Sequence, residues 1–239
     1  MIGKLLPKSL KAKIRFHQRT RADRQNGTNQ LLASKKDFKL DCGSSFISLS
    51  QPIRPGATFN QKVTNIEVAS KGISQVVVMP GEIFSFWKIV PRPTKKNGFV
   101  KSRNLVNGEI STAIGGGICQ LASITYHIAL LAGLDVIERH NHSLDIYEEH
   151  DRFTPLGADA AVVWGHKDLR FKNNNEHKIW FKVLIKKEKI TLELHCSGQI
   201  GPNEIDFRRQ PDSEGIRTVE THINGYHVTT SIYALPSRA

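Results

Sequence analysis

One segment limits the possible folds of this chain more than any other. Residues 118–132 are apolar around almost the whole circumference of a helix. The apolar positions are Ile118, Leu121, Ala122, Ile124, Ile128, Ala129, Leu130, Leu131 and Ala132. A helix of this kind has to be covered on all sides, so the segment predicts a central core helix. Gly133 is placed to end that helix, and three consecutive glycines, Gly115, Gly116 and Gly117, precede it.

The second half of the chain predicts antiparallel sheet. Residues 179–186 and 189–196 alternate apolar with more polar side chains, which is the period of a strand. Residues 186–189 are polar and form the expected hairpin tip between them. A last hairpin is predicted over residues 218–233, with its turn at Asn224-Gly225.

Earlier segments complete the expected fold. Loops or short strands are predicted over residues 41–60, a helix over residues 60–72 and a β-branched strand over residues 73–79. The expected class is α+β, with a buried core helix packed on a largely antiparallel sheet. Three regions are predicted, namely a basic N-terminal arm (1–40), one domain (41–200) and a C-terminal extension with the possible hairpin (201–239).

The positive charge is concentrated at the N-terminus. The chain carries a formal net charge of +12, and residues 1–40 hold eleven lysines and arginines against two aspartates. Such an arm is typical of a solvated basic tail or, with interleaved apolar residues, of a segment that binds an anionic membrane surface. Nucleic-acid binding is not expected, because no recognised motif accompanies the charge. No signal peptide or membrane-spanning run of roughly 18 apolar residues is seen, so a cytoplasmic or peripheral membrane location is expected.

Cys119 is a candidate nucleophile. It falls in the first turn of the predicted core helix, where free main-chain N–H groups and the positive end of the helix dipole favour a thiolate. The glycines before it let a substrate approach the backbone closely, and the N–H groups there could stabilise an oxyanion. The alternative is that Cys119 is a small core residue.

Two histidines are candidates for the base that would serve this cysteine. His140 and His142 follow a short strand-like piece, residues 134–137, and would share one face if the chain there is extended. Either could take the proton of the Cys119 thiol. Asp145 and Asp159 are the candidates to orient that histidine. A metal site using both histidines is an open alternative, although this spacing alone is weak support.

The remaining cysteines have no expected role in chemistry. Cys196 lies on the apolar face of a regular strand and Cys42 has no nearby histidine. An odd number of widely spaced cysteines does not predict a disulfide framework. No cofactor and no resident metal are expected.

Several motifs, taken in order along the chain, resemble the VanW-like family, which is named for an accessory protein of vancomycin-resistance clusters. The matching pieces are 80–86 (PGEIFSF), 107–109 (NGE), 115–123 (GGGICQLAS), 130–134 (LLAGL), 138–140 (ERH), 142–143 (HS) and 168–173 (DLRFKN). Together they extend over about residues 60–200. The chain is therefore identified as a member of this family on sequence motifs.

The resemblance implies acyl-transfer chemistry on the bacterial cell wall. Some family members are understood as peptidoglycan L,D-transpeptidases with a cysteine nucleophile, which makes Cys119 the acyl acceptor. The implied partner is a peptidoglycan stem peptide or precursor, for which Gln120, Ser123 and Ser143, together with the three glycines, are candidate binding residues. Two other functions remain open, a non-catalytic binding protein for such precursors and a metal-dependent hydrolase using the two histidines.

Overall fold

The computed structural model describes residues 6–34, 45–106, 109–145 and 147–236. Within these ranges the α-helices are α1 (Lys8–Gln25), α2 (Thr28–Leu31), α3 (Phe59–Ile73), α4 (Phe86–Ile89) and α5 (Ile118–Leu131). The strands are β1 (Ser45–Pro52), β2 (Val77–Val78), β3 (Ile83–Ser85), β4 (Lys101–Val106), β5 (Glu109–Ile114), β6 (Asp135–Glu138), β7 (Arg170–Lys172), β8 (Ile179–Lys186), β9 (Lys189–Cys196), β10 (Ile205–Arg209), β11 (Ile216–Ile223) and β12 (Tyr226–Ala234). Helices and antiparallel sheets are both present, which confirms the α+β class.

The strands form four sheets in which every pairing between named strands is antiparallel. The largest has the order β1-β9-β8-β2, and the others are β10-β11-β12, β3-β7-β6 and the β4-β5 pair. Helix α5 contacts β1 and β9 of the largest sheet as well as α3. Its side chains at Leu121, Ile124 and Ile128 are fully buried. The predicted core helix on an antiparallel sheet is therefore confirmed.

Both ends of α5 follow from glycines. Gly117 precedes its first residue with φ of 99°, and Gly133 follows its last turn with φ of 65°. The N–H of Gly133 bonds to the main-chain O of Leu130 at 3.0 Å, and the N–H of Leu134 bonds to that of Ala129 at 3.0 Å. These bonds close the helix in the manner expected of a glycine stop.

The two predicted hairpins are present. Strands β8 and β9 pair in register from Ile179 with Cys196 to Lys186 with Lys189, so the turn is the two residues between them. Strands β11 and β12 turn at Asn224 and Gly225, which both have positive φ, of 50° and 84°. Positive φ at both central positions is what a tight hairpin turn of this twist requires.

Two expectations from the first half of the chain were wrong. Residues 45–52 form an eight-residue strand rather than loops or short strands, because β1 completes the largest sheet by pairing along the whole of β9. The strand predicted over 73–79 shrinks to Val77–Val78. Helix α3 runs on through Ile73, and the N–H of Val76 then bonds back to the main-chain O of Ile73 at 3.2 Å, so a turn replaces the start of the strand.

Part of the predicted basic arm lies against the domain. The ring of Phe16 on α1 stacks on Trp164 with centroids 4.7 Å apart. Asp23, near the end of the same helix, accepts two hydrogen bonds of 2.8 Å from the guanidinium of Arg170. Leu10, earlier on the helix, remains exposed. Helix α1 is thus held to the domain by this ring contact and by the ion pairs of Asp23 with Arg170 and of Arg19 with Glu138. Residues 35–40 of the arm lie outside the described residues.

None of the helices in the described ranges is both long enough and apolar enough to cross a membrane.

Candidate functional site

Cys119 occupies the second residue of α5, directly after the glycine run. Its side chain is half-buried, and its Sγ lies 3.7 Å from the main-chain O of Val162. The helix start therefore places the sulfur where the dipole and the free N–H groups of the first turn favour negative charge. The prediction that Cys119 begins the core helix is confirmed; its chemical role stays a prediction.

His142 is the histidine that the fold brings to Cys119. Its Nδ1 lies 2.6 Å from Oδ2 of Asp159, and its main-chain N–H donates to the same oxygen at 2.7 Å. The imidazole and the Cys119 side chain line the same cavity, and their interaction shifts the pKa of both groups. Since Nδ1 is occupied by the carboxylate, Nε2 is the nitrogen left for the sulfur. Histidine and aspartate thus form a hydrogen-bonded pair beside the cysteine, which is the order of groups that a cysteine nucleophile uses.

The charges in this chain support one another. Burial favours the neutral thiol, but the hydrogen bond and charge of His142 outweigh it and lower the pKa of Cys119 below its ordinary value. Burial also disfavours the imidazolium, yet hydrogen bonds to Asp159 and Cys119 raise the pKa of His142 to about 10. Burial raises the pKa of Asp159, whereas the hydrogen bonds from His142 and the charge of Arg139 lower it. The lowering is the larger effect, and the pKa of Asp159 falls to about 2. Both shifts favour a thiolate paired with an imidazolium over a neutral thiol beside a neutral imidazole.

Arg139 fixes the far side of the Asp159 carboxylate. Its Nη2 donates to Oδ1 at 2.9 Å, and its Nε donates to the main-chain O of Asp159 at 2.7 Å. The guanidinium also lies over the ring of Tyr126, 4.8 Å from its centroid. With one carboxylate oxygen held by Arg139, the other is directed at His142.

His140 and Asp145 do not join this group. The Nε2 of His140 lies 3.0 Å from Oε1 of Glu138, which in turn binds Arg19 of α1 at 3.1 Å. Asp145 accepts hydrogen bonds from Arg152 at 2.6 and 2.7 Å and from Arg217 at 2.6 Å, so its carboxylate orients arginines rather than a histidine. The chain between the two histidines is not a strand, and their side chains bind different carboxylates, those of Glu138 and Asp159.

The same geometry bears on the metal alternative. Among the residues that the structure describes, no group of three or more His, Cys, Asp or Glu side chains could hold a metal ion. His140 and His142 bind different carboxylates, so they do not converge on one point as ligands of a shared ion would.

The glycine run is required by space as well as by conformation. Gly115 and Gly117 have φ of 88° and 99°, and a Cβ on either would lie 2.8 Å from Cβ of Pro93 or 2.5 Å from Cγ of Lys62. Gly116 is buried, and its main-chain O accepts a 2.9 Å hydrogen bond from Asn65. The run therefore turns tightly into α5 and leaves the N–H of Cys119 without an acceptor among the described residues.

The other predicted binding residues have separate positions. Gln120 lines the cavity described below and donates a 2.7 Å hydrogen bond to the main-chain O of Pro52. Ser123 is fully buried, where its Oγ donates to the main-chain O of Cys119 at 2.8 Å and accepts the N–H of Ala160 at 2.9 Å. Ser143 is exposed and does not line the cavity. Of these three side chains, the structure brings only Gln120 to the site.

A cavity of about 350 Å³ opens over Cys119. Its lining includes Arg54, Lys62, Gly117, Gln120, His142, Thr154, Asp159 and Tyr233. Aromatic and aliphatic side chains, among them Phe59 and Phe153, form much of the remaining wall. A partly apolar cleft with a few polar groups and a perturbed thiol is typical of a small-molecule or peptide site.

Four residues of the site are not singled out by the sequence patterns: Arg54, Arg139, Thr154 and Tyr233. Arg139 precedes His140 within a family motif, and that position could have drawn attention to it. The other three reach the cavity from segments distant in sequence, and no local pattern marks them.

Of the two cysteines without a predicted role, the structure describes one, and it does not line this cavity. Cys196 is buried on β9, and Cys42 lies outside the described residues.

Comparison with known proteins agrees with the motifs. A family model described as VanW like protein matches residues 61–195. The chain is 36% identical over 136 residues to the uncharacterized protein YoaR of Bacillus subtilis (strain 168), a match covering 57% of this chain and 43% of that protein. It is 31% identical over 140 residues to the Vancomycin B-type resistance protein VanW of Enterococcus faecalis (strain ATCC 700802 / V583), covering 58% of this chain and 50% of that protein.

These matches extend over about half the length of each curated relative, and no solved structure matches the chain. The matched region contains Cys119, Arg139, His142 and Asp159. Because the family model covers more than half of the sequence, the chain belongs to the VanW-like family.

Proposed function

We propose that this protein is a cysteine acyltransferase that acts on peptidoglycan stem peptides. The observation that carries the proposal is the connection of one imidazole, that of His142, to both the Cys119 side chain and the Asp159 carboxylate. A nucleophile, a proton carrier and an orienting anion in this order are the parts that acyl transfer needs.

The proposed reaction has two halves. The Cys119 thiolate attacks the carbonyl carbon of the third stem residue, and the imidazolium of His142 gives its proton to the departing D-Ala amine as the C–N bond breaks. The product is a thioester on Sγ and free D-Ala. The amine of a second stem then attacks the thioester, His142 takes its proton, and the Cys119 thiolate is released as a new amide forms.

The start of α5 offers a site for the oxyanion of each tetrahedral intermediate. The N–H of Cys119 has no acceptor among the described residues, and it lies at the positive end of the helix dipole. A donor that is already in place when charge develops on the carbonyl oxygen contributes more than one that has to be reoriented. The glycines allow the peptide backbone to come this close.

The cavity wall supports a peptide ligand. Oγ1 of Thr154 and Oε1 of Gln120 are buried in that wall and have no hydrogen-bond partner among the described residues. Buried polar atoms of this kind are costly unless something satisfies them. The amide groups of a bound peptide carry both donors and acceptors, and they would satisfy these atoms once the two side chains turn toward the cavity.

The charge of the wall supports an anionic peptide. Arg54 lines the cavity, and its guanidinium donates to a main-chain carbonyl O, that of His150 at 2.5 Å. No carboxylate in the described part of the chain pairs with Arg54. Stem peptides carry carboxylates, and a guanidinium is well suited to bind one. The identity of the peptide as a peptidoglycan stem comes from the family resemblance.

The direct test is turnover of a disaccharide-tetrapeptide. We expect D-Ala release, measured by liquid chromatography and mass spectrometry, with wild type and with Cys119→Ala compared at equal concentration. Cys196→Ala is the matched control, since it removes a thiol that lies on β9 away from the cavity. Release by wild type and Cys196→Ala but not by Cys119→Ala supports the proposal. Equal peptide binding by wild type and Cys119→Ala with no release by either would indicate a binding protein instead.

A further inference from the structure

The C-terminal three-stranded sheet lies beyond the residues that the family model matches, yet it reaches the candidate site. The match ends at residue 195, whereas β10, β11 and β12 span residues 205–234. Tyr233, on β12, lines the cavity over Cys119. Its side chain is almost fully buried, at 1% exposure.

The hydroxyl of Tyr233 is bound to the orienting carboxylate. It donates to Oδ1 of Asp159 at 2.5 Å and accepts the N–H of Gly157 at 3.0 Å. Burial and the charge of Asp159 both raise the pKa of Tyr233, so the hydroxyl keeps its proton and acts as a donor. Ser231, two residues earlier on the same strand, accepts a 2.6 Å hydrogen bond from Arg139.

The sheet is fitted closely to the chain segment that carries Asp159. Gly157 has φ of 94°, and a Cβ there would lie 2.8 Å from Cδ1 of Phe207 on β10 and 3.1 Å from Cγ1 of Val219 on β11. Arg217 of β11 binds Asp145, which also lines the cavity, at 2.6 Å. Strands β10, β11 and β12 thus each contact the segments that build the site.

We propose that the C-terminal sheet is part of the catalytic apparatus, with Tyr233 acting on His142 through the Asp159 carboxylate that both residues bind. This inference rests on the proposed acyl transfer for its catalytic meaning. If Tyr233 only filled the core, its ring would be required but its hydroxyl would not.

The hydroxyl has a specific effect on His142. A donor to Oδ1 draws negative charge away from the carboxylate, which makes Asp159 a weaker acceptor for the imidazolium. Without that donor the imidazolium is stabilised further, and it gives up its proton to the leaving amine more slowly. Arg139 still holds the carboxylate in place through Oδ1 and the main-chain O, so the change is one of charge rather than of position.

Charged and titratable groups from three parts of the described chain interact with this carboxylate. Among them are Cys119 and Tyr126 on α5, Arg139 and His142 after β6, and Tyr233 on β12. Because Cys119 and His142 titrate as a coupled pair, the measured midpoints belong to the pair.

The experiment follows the titration of His142 in the full chain by ¹⁵N NMR, which does not depend on turnover. Tyr233→Phe should raise the alkaline midpoint by about one pH unit and lower the rate of D-Ala release about threefold to tenfold. Tyr226→Phe is the matched control, because it removes the hydroxyl of an exposed tyrosine on the same strand. It should leave both quantities unchanged. An unchanged midpoint in folded Tyr233→Phe overturns the inference.

A second variant covers the case in which Tyr233→Phe is too unstable to measure. Replacing Tyr233 by 3-fluorotyrosine keeps the shape and strengthens the donor, so the midpoint should move to lower pH. A shift in the opposite direction, or none, overturns the inference. If the midpoints move as expected but wild type releases no D-Ala, the coupling stands and the proposed acyl transfer fails. The two claims are therefore distinguishable.

Discussion

Replacing Asp159 by asparagine removes the anion on which the thiolate–imidazolium pair depends. The carboxylate accepts four hydrogen bonds, two at Oδ1 from Arg139 and Tyr233 and two at Oδ2 from the main-chain N–H and Nδ1 of His142. In the amide, one oxygen becomes an NH₂ group that cannot accept. Whichever way the amide is turned, its NH₂ group faces two of these four donors, and both of those hydrogen bonds are lost.

The size of the effect follows from those two bonds. A hydrogen bond to a charged group contributes about 1.5–3 kcal/mol, so losing two costs about 3–6 kcal/mol if neither is replaced. Two influences on Cys119 then oppose each other. Loss of the Asp159 charge favours the thiolate, but loss of the His142 imidazolium disfavours it, and the contribution of His142 is the larger. We expect the thiol pKa to rise to the ordinary value of about 8.5.

The assay is alkylation of Cys119 by iodoacetamide as a function of pH, with the modified peptide quantified by mass spectrometry. In wild type the midpoint of the alkylation rate should lie below the ordinary thiol range, and in Asp159→Asn it should move up into it. D-Ala release should fall about 100-fold or more, since each 1.4 kcal/mol corresponds to a factor of ten. A folded Asp159→Asn protein with the wild-type midpoint would refute the role assigned to this carboxylate.

Four further outcomes are expected. His142→Asn should raise the thiol pKa as Asp159→Asn does, whereas His140→Asn should leave it unchanged, which the same alkylation assay measures. Arg54→Gln should raise KM for an acid-terminated tetrapeptide about tenfold or more, with kcat retained. It should leave KM for the corresponding peptide amide unchanged. Equal effects on the two peptides would contradict carboxylate binding. Gly117→Ala should lower the free energy of unfolding by about 1–3 kcal/mol, because φ is 99° and its Cβ would lie 2.5 Å from a lysine Cγ; Gly56→Ala, whose Cβ meets nothing within 4 Å, is the control in urea denaturation. The pKa of His142 rises on folding from 6.5 to about 10, so its contribution to stability is complete below pH 6.5 and is lost as pH rises through about 10; melting temperatures across this range should show the loss in wild type and not in His142→Asn.

Much of the fold can be predicted from local patterns. The core helix is marked by apolar residues on every side and a glycine at each end, and the two late hairpins are marked by strand alternation and turn residues. The strand predicted over residues 73–79 is too long, because β-branched residues favour an extended chain. In the structure α3 continues through Ile73, and only Val77 and Val78 are extended. Long β1 was missed because its length comes from pairing with β9, far along the chain.

The candidate site can be predicted only in part, for a related reason. Cys119 and the histidine pair are visible in sequence, but which histidine meets the sulfur depends on where Asp159 is held. Asp145 has the same side chain as Asp159, and it is bound instead by Arg152 and by Arg217 of the C-terminal sheet. Such pairings join residues widely separated in sequence, so no local spacing reveals them.

The docking of α1 has the same origin. The basic composition of residues 1–40 predicts a free arm, but the contacts of Phe16 with Trp164 and of Asp23 with Arg170 hold the helix to the domain. Net charge describes how a segment interacts with solvent and anionic surfaces. It does not report specific pairs of this kind.

The most direct test of Cys119 as nucleophile is to isolate the covalent intermediate. Wild-type protein is mixed with the disaccharide-tetrapeptide in the absence of an acceptor amine, quenched in acid and examined by intact mass and peptide mapping. The acyl-transfer account predicts a mass gain equal to the disaccharide-tripeptide acyl group, located on Cys119 and released by hydroxylamine. A chain of unchanged mass that nonetheless releases D-Ala, or an acyl group on any other residue, would contradict it.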